Sequence, residues 1–345
     1  MKVGVYYNNK DVRVEEQQVP KIGRGEILLK TEMCGICGTD VLEWYRIKTA
    51  PRVLGHEAVG YIEEIGEGVN NFKVGDRVFV SHHVPCNECS YCQKGFHTAC
   101  ETLHKTNFYP GGFAEFIRVP EINVRLGTYL LPENMSFEDG VFIEPLGCAL
   151  RGQRVVDLKP SDSVLIIGAG ISGLLHVKAA KSKDISRIIT SDINEYRLNL
   201  AKKFGADFVV NAKEAKVDLP SAIKRINENR LADVVILCTG AIQAVHQAYK
   251  CVDKGGKILF FATPEPSVPV TVPINDFWRN EIKIFTSYGA SPDDMQEALD
   301  LISSRRITVS DMITHKLPLA EIQEGFRLVA DAKDSLKVIV KIGNE

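Results

Sequence analysis

Two rhythms of apolar and polar residues divide this chain. Up to about Val119 the apolar positions alternate over short runs: Met1–Tyr7, Glu26–Thr31, Tyr61–Ile65, Arg77–Val80 and Gly111–Pro120. Period-two alternation predicts half-buried strands, and Pro20, Gly66, Gly68 and Gly75 punctuate them, so this part reads as antiparallel and β-rich. Cys86–Cys100 is a polar, turn-rich lobe. After Pro132 the rhythm changes. Phe137–Ala149 predicts a helix that Cys148–Val156 continues, and Lys159-Pro160 marks a boundary. Beyond it, apolar strands (Ser163–Ile167, Arg187–Ser191, Phe208–Val210, Val234–Cys238, Lys257–Ala262, Ile282–Thr286) alternate with helical stretches (Ile171–Lys181, Glu195–Phe204, Pro220–Asn229, Ile242–Cys251). Runs such as Val164-Leu165-Ile166-Ile167 suit a parallel sheet covered on both faces, an α/β arrangement. The last segment adds helices at Pro292–Ser304 and Leu319–Ala330 and strands at Ile313–Leu317 and Lys337–Ile342.

A chain of 345 residues is long for one core, so two domains are expected. Its net charge of -2, with no basic block, points away from nucleic acid and membrane surfaces. No apolar run approaches the roughly 18 residues of a membrane span, and the alternating N-terminus lacks a signal-peptide core. A cytoplasmic protein is expected. In that compartment thiols stay reduced, so the clustering among the nine cysteines points to metal rather than disulfides.

The strand Ser163–Ile167 runs directly into Gly168-Ala169-Gly170-Ile171-Ser172-Gly173, and an apolar helical pattern follows. Strand, G-x-G-x-x-G, then helix is the dinucleotide loop. Gly168 allows the tight turn, Gly170 lets backbone approach a pyrophosphate, Gly173 allows close packing, and the helix N-terminus favours the anion. The second strand ends at Asp192, where an acid is expected on the ribose 2′-hydroxyl. Its charge favours NAD over NADP, while Arg197 keeps NADP open. Ile171, Ser172, Thr239, Ala262 and Ser287 complete the candidate cofactor contacts.

Cys86, Cys89, Cys92 and Cys100 have the spacing C-x2-C-x2-C-x7-C. Four thiolates so close in sequence can close a tetrahedron around a structural zinc with no vacant position; iron–sulfur ligation is the competing reading. Such an ion would fix a loop that lacks a core of its own. A second cluster is open. Cys37, in Cys34-Gly35-Ile36-Cys37-Gly38-Thr39-Asp40, precedes Gly55-His56-Glu57, and Glu144 interrupts an apolar run. On a strand His56 and Glu57 would point apart, so binding one ion together needs a turn, which Gly55 permits. One Cys, one His and one carboxylate leave a position for water or substrate, the catalytic zinc arrangement. Spacing alone leaves Cys34 paired with Cys37 as an alternative.

These motifs resemble the zinc-dependent medium-chain dehydrogenase/reductase superfamily, nearest its sorbitol (polyol) and threonine dehydrogenase branches. The residues carrying the resemblance are Cys37-Gly38-Thr39-Asp40, Gly55-His56-Glu57 with Gly60, Gly66 and Val69, and Gly75-Asp76-Arg77-Val78. The four-cysteine lobe, Gly112-Phe113-Ala114-Glu115, Glu144-Pro145-Leu146 and the glycine loop complete the set. The resemblance implies a GroES-like β-rich catalytic domain over residues 1–150, with its structural-zinc lobe at 86–100. It implies a Rossmann domain over 151–289 and a segment, 290–345, that returns to the catalytic domain. It implies two zinc ions per chain, a cleft between domains with zinc facing the nicotinamide, and a homodimer or homotetramer. It makes Cys37 rather than Cys34 a catalytic zinc ligand, with His56 and a glutamate. In the sorbitol branch the Glu57 position can bind zinc while the Glu144 position holds water or substrate; in other branches the later residue is the third ligand.

The implied activity is hydride transfer between NAD and a secondary alcohol: a polyol, a cyclitol or a related hydroxylated metabolite. Threonine dehydrogenase is the alternative within the class, and a zinc-less non-catalytic relative the alternative outside it. Thr39 matches the family's hydroxyl that takes the alcohol proton, and Asp40 would orient a ligand. Three positions depart from the pattern. Leu42 stands where many relatives carry a proton-relay histidine, Glu43 where sorbitol dehydrogenases carry a substrate-binding tyrosine, and Ser287 precedes Tyr288 where they carry an arginine.

Overall fold

The computed structural model describes residues 1–213 and 218–343. The chain forms two compact units, one of Met1–Gly147 with Ala290–Glu345 and one of Cys148–Gly289.

The first unit begins with β1 (Lys2–Asn8), β2 (Asp11–Glu16), β3 (Ile27–Ile36) and β4 (Arg52–Val53). β5 (Glu57–Ile65), β6 (Arg77–Ser81), β7 (Phe116–Val119) and β8 (Thr128–Leu130) follow. β3 runs further than the alternation predicts, through Cys34, Gly35 and Ile36. Register shifts between Leu28 and Leu29 and between Thr31 and Met33 explain the difference, because each bulge breaks the period-two pattern without ending the strand. The expected strand over 111–120 is ordered into a ladder only at Phe116–Val119. Its first residues lie instead along the Val53–Gly55 turn, with Gly112 N donating to Gly55 O at 2.9 Å and Phe113 N to Leu54 O at 3.0 Å. No side chain fits at Gly112: a Cβ there would lie 2.6 Å from Cys34 Sγ.

The second unit carries β9 (Ser163–Ile167), β10 (Arg187–Asp192), β11 (Phe208–Asn211), β12 (Ala232–Leu237), β13 (Val252–Phe260) and β14 (Lys283–Thr286). All pair in parallel, in the order β11-β10-β9-β12-β13-β14. This is a doubly wound sheet with its reversal between β9 and β12. The five residues of β9 are all buried, which is why they read as a continuous apolar run.

The chain then returns to the first unit with β15 (Ile313–Pro318) and β16 (Lys337–Lys341), completing a sheet of order β15-β16-β3-β5-β6-β8. Its core gathers Val3, Tyr6, Leu29, Phe113, Ile117 and Phe326. The helix predicted over 137–149 is two pieces, Phe137–Gly140 and Ile143–Val155; Ser136 and Asp139 cap the first reciprocally. The helices Glu121–Gly127 and Ile274–Asn280 carry no capping side chain and no sequence signal. No helix among the described residues is long and apolar enough to cross a membrane.

Candidate active site

In the four-cysteine lobe the thiols converge. Sγ–Sγ distances are 3.5 Å for Cys89–Cys92, 3.6 Å for Cys86–Cys100 and 4.0 Å for Cys86–Cys92. Four thiolates about 2.3 Å from one zinc stand about 3.8 Å apart at the edges of the tetrahedron, so the donor set fits that ion. Backbone N–H groups of Glu88 and Cys89 point at Cys86 Sγ, and that of Cys86 at Cys100 Sγ, as they would toward thiolates. Beyond the cysteines only Leu103 joins the buried cluster of this lobe, so its own apolar core is negligible.

The second centre is built around the end of β3. Cys37 leaves the strand and caps a single turn, Gly38–Val41. Its Sγ accepts from Thr39 N at 3.5 Å and Thr39 Oγ1 at 3.3 Å, while its N–H donates to Asp40 Oδ2 at 3.1 Å. Gly55, at φ +90, makes the turn that a side chain would strain, and β5 starts at Glu57. One donor atom from each of Cys37, His56 and Glu57 lies within 4.8 Å of the others. Cys34 stays in β3, buried in the core, where burial pushes its thiol well up; it takes no part in this grouping. Glu144, near the start of the helix Ile143–Val155, is buried, and its charge is felt at Glu57 and Lys337, but it too stands outside the grouping.

Asp40, wholly buried, sits behind His56, with Oδ1 3.4 Å from His56 Nδ1 and 3.3 Å from Arg46 Nη2. Burial acts against both charges. The Asp40 carboxylate nonetheless lifts the His56 imidazole well above its ordinary range, and His56 and Arg46 hold Asp40 below its own. A metal at His56 therefore competes with a proton. Arg46 also donates to Thr39 O at 3.0 Å and to Thr39 Oγ1 at 3.3 Å.

Sequence reasoning missed the partner of Glu57. Lys337, at the start of β16 and 1% exposed, donates to Glu57 Oε2 at 2.5 Å. The sheet explains the meeting. Gly35 of β3 stands opposite Glu57 of β5 on one side and Ile339 of β16 on the other, so Lys337 reaches across the central strand. A Cβ at Gly35 would lie 1.8 Å from Glu57 Oε2. Burial opposes the Lys337 charge, but Glu57 and Cys37 raise its pKa above the ordinary value, so it remains an ammonium. Glu57 Oε1, also buried, has no hydrogen-bond partner among the described residues. That oxygen faces the requirement of every buried polar atom for a partner, and a cation held with Cys37 and His56 meets it. His82 borders the centre: its ring lies 4.9 Å from that of His56 and stacks on His83 at 3.8 Å. Burial, then the neighbouring His83 and His56, lower its pKa well below the usual range, so it is a neutral wall.

In the second unit the glycine loop has the geometry its spacing implies. Gly168 turns at φ +98, and Gly170 leads the helix Ile171–Ser182, with Ile171 and Ser172 in its first turn. At Gly173 a Cβ would lie 1.9 Å from Gly168 O. The Asp192 carboxylate closes the loop, accepting from Ala169 N at 2.6 Å and Asn194 N at 2.8 Å. Gly170 leaves an approach that Arg197 Nη1 borders at 3.9 Å, and the Thr239 side chain lies 3.4 Å from a Cβ built on Gly168. Ala262 N donates to Leu237 O, and Ser287 N to Phe260 O, so both follow strand ends at the same edge of the sheet as Gly168. Ligands of doubly wound sheets bind at that edge, beside the reversal.

The alcohol dehydrogenase GroES-like domain family matches residues 23–127, and the zinc-binding dehydrogenase family matches residues 172–304. The sorbitol dehydrogenase of Bacillus subtilis is 31% identical over 99% of this chain and 97% of its own length. Galactitol-1-phosphate dehydrogenase from Escherichia coli superposes with a TM-score of 0.87 at 28% identity, covering 99% of this chain and 100% of that one. A short chain alcohol dehydrogenase of Escherichia coli CFT073, solved with NADH, superposes with a TM-score of 0.86 at 26% identity over 99% of each chain. With the converged thiols, the Cys37–His56–Glu57 grouping and the glycine loop, these likenesses place the chain in the zinc-binding alcohol dehydrogenase family.

Proposed function

We propose that this protein is a zinc-dependent dehydrogenase that oxidises a secondary alcohol of a polyol, cyclitol or related metabolite with NAD. The observation that carries the reading is the convergence of Cys37, His56 and Glu57 around the unpartnered Glu57 Oε1. When bound, zinc supplies Lewis acidity toward the alcohol oxygen and NAD accepts the hydride.

The remaining work falls to the chain. Cys37 and His56 hold the metal; Glu57 is favoured as third ligand over Glu144, because it alone joins the grouping. Glu144, buried nearby, then suits the substrate or a water beside it. Asp40 fixes the ring of His56. Thr39 Oγ1 is the group placed to take the alcohol proton, and Arg46 steadies its oxygen. A guanidinium offers donors and no acceptor, so Arg46 does not replace the relay histidine missing at Leu42. The proton leaves instead by water or substrate hydroxyls. The glycine loop with the first turn of the helix Ile171–Ser182 holds the pyrophosphate. Asp192 favours NAD, since its charge repels a 2′-phosphate.

A polyol is favoured over threonine by the likeness to sorbitol and galactitol-1-phosphate dehydrogenases. The retained ligand set argues against a zinc-less relative. We further assign the protein to the cytoplasm and to a dimer or tetramer. Exposed Ile284 on edge strand β14, with exposed Ile274 and Trp278, offers an apolar surface for subunit pairing.

A panel of polyols, cyclitols and amino alcohols with NAD and NADP, read as reduced cofactor, tests the activity. Thr39→Ala is expected to lose about 10²–10⁴ of turnover while zinc content holds. Undiminished turnover in that variant would remove the proton-acceptor role.

A further inference from the structure

Beside the metal centre, in the first unit, lies a cavity of 520 Å³ whose charged lining is wholly cationic: Arg52, Lys105 and Arg118, with no Asp or Glu among the lining residues. Its polar remainder includes Thr49, Asn107 and Gln17.

Arg52 is the informative member. It sits on β4, half-buried, and its guanidinium has no ion pair or side-chain hydrogen bond among the described residues; the charge of Asp40 reaches it only as a minor influence. Burial, then the neighbouring charge of Arg46, depresses its proton affinity. Taking part of an arginine's charge out of water is costly unless an anion compensates, so a bound anion would be stabilised here. Arg118 is only loosely compensated. It has a weak ion pair at the limit of range, Glu26 Oε2 at 4.0 Å from Nε, but Nε itself is buried with no hydrogen-bond partner among the described residues. Its guanidinium stands 5.9 Å from the centre of the Tyr109 ring. Lys105 has Glu101 at 3.5 Å, in an exposed pair of little strength.

The cavity is tied to the metal centre through its walls. Phe108, which lines it, packs edge-on against His82 at 6.3 Å, and His82 packs against His56. The charge of Arg52 is felt at Asp40, His82 and His83.

We propose that this cavity is an oxyanion site for a phosphate group, with Arg52 and Arg118 as its charged donors. Two arginine forks match phosphate geometry, and the volume leaves room for carbon atoms attached to it. Resting on the dehydrogenase reading above, the site narrows the substrate class to polyol phosphates. The same chemistry also accommodates free phosphate acting beside the reaction, and the experiment separates the two.

Inorganic phosphate is titrated calorimetrically into the zinc-loaded wild type, Arg52→Gln and Arg118→Gln at fixed ionic strength. The kinetics of sorbitol and sorbitol 6-phosphate with NAD are compared in the same proteins. Saturable phosphate binding in wild type, weakened about tenfold or more in each variant, is expected. A drop of the same size in the ester-to-sorbitol ratio of kcat/KM identifies the substrate as the source. An unchanged ratio with weakened phosphate binding identifies free phosphate. Absence of saturable binding in wild type, or binding in both variants as tight as in wild type, overturns the site. Turnover of neither polyol counts against the dehydrogenase reading and leaves the phosphate titration to judge the cavity.

Discussion

Replacing Lys337 with methionine removes one charge of a fully buried pair and little else. Methionine keeps the length of the side chain and its volume, so packing is largely conserved. Glu57 Oε2 loses the donor 2.5 Å away, and Oε1 has no donor among the described residues to begin with. Breaking a buried ion pair from one side costs about 3–5 kcal/mol. Protonation of Glu57, whose pKa burial already raises, limits the loss to the lower part of that range. At about 2–4 °C per kcal/mol for a unit of this size, the transition of the first unit falls by about 6–15 °C. Calorimetric melting with zinc present and after chelation is the assay. The loss is larger after chelation, when no cation remains beside Glu57. Lys337→Met with Glu57→Gln recovers most of the loss, because a neutral amide needs no counter-ion, and the double-mutant cycle gives the coupling directly. A Lys337→Met protein within about 1 kcal/mol of wild type after chelation refutes the reasoning. So does a double variant less stable than either single one.

Other consequences follow from the same geometry. Gly35→Ala places a Cβ 1.8 Å from Glu57 Oε2 and 2.7 Å from Val141 Cγ1, so the carboxylate must move; metal analysis is expected to show the catalytic ion lost and the four-cysteine ion kept. Cys100→Ser opens the lobe, which has only Leu103 besides its cysteines to hold it; limited proteolysis should cut within 86–100 while the Rossmann unit stays resistant. His176 gives a pH signature in the second unit. Burial, then Lys183, holds its imidazole at about 3. Below its ordinary pKa of about 6.5 the unfolded chain binds a proton that the folded chain refuses. Its contribution to stability therefore falls as pH drops from about 6 to 4, by about 1.4 kcal/mol per unit, and His176→Gln should flatten the urea-midpoint profile by that amount.

The parts of the site that were legible in the sequence are those made by neighbours in sequence. The glycine loop needs only a strand, a tight turn and a helix in succession, and each leaves a local mark from Ser163 to Ser182. The four-cysteine lobe spans few residues, and its spacing carries the convergence. Gly55 marks a turn before His56 and Glu57, and the turn is there. Cys34 and Cys37 were harder: choosing between them requires knowing that β3 continues through two bulges to Ile36, which alternation alone conceals. Lys337 was not legible at all. It is 280 residues from Glu57, and at the head of an apolar strand it reads as an ordinary surface cation. Only the strand order β16-β3-β5, with Gly35 in the middle, brings the two together. The cationic cavity was hidden for the same reason, since its lining comes from four separated segments.

Cys37, His56 and Glu57 are proposed to hold the ion on which alcohol oxidation depends, separately from the ion of the four-cysteine lobe. Zinc per chain, measured alongside NADH formation in wild type and Cys37→Ala, distinguishes the two ions. Wild type is expected to hold two zinc ions, matching the two donor groupings, and to form NADH with a polyol. The variant is expected to hold one ion, to show no turnover and to keep an intact second unit. A single ion in wild type, or undiminished NADH formation in Cys37→Ala, would contradict that assignment.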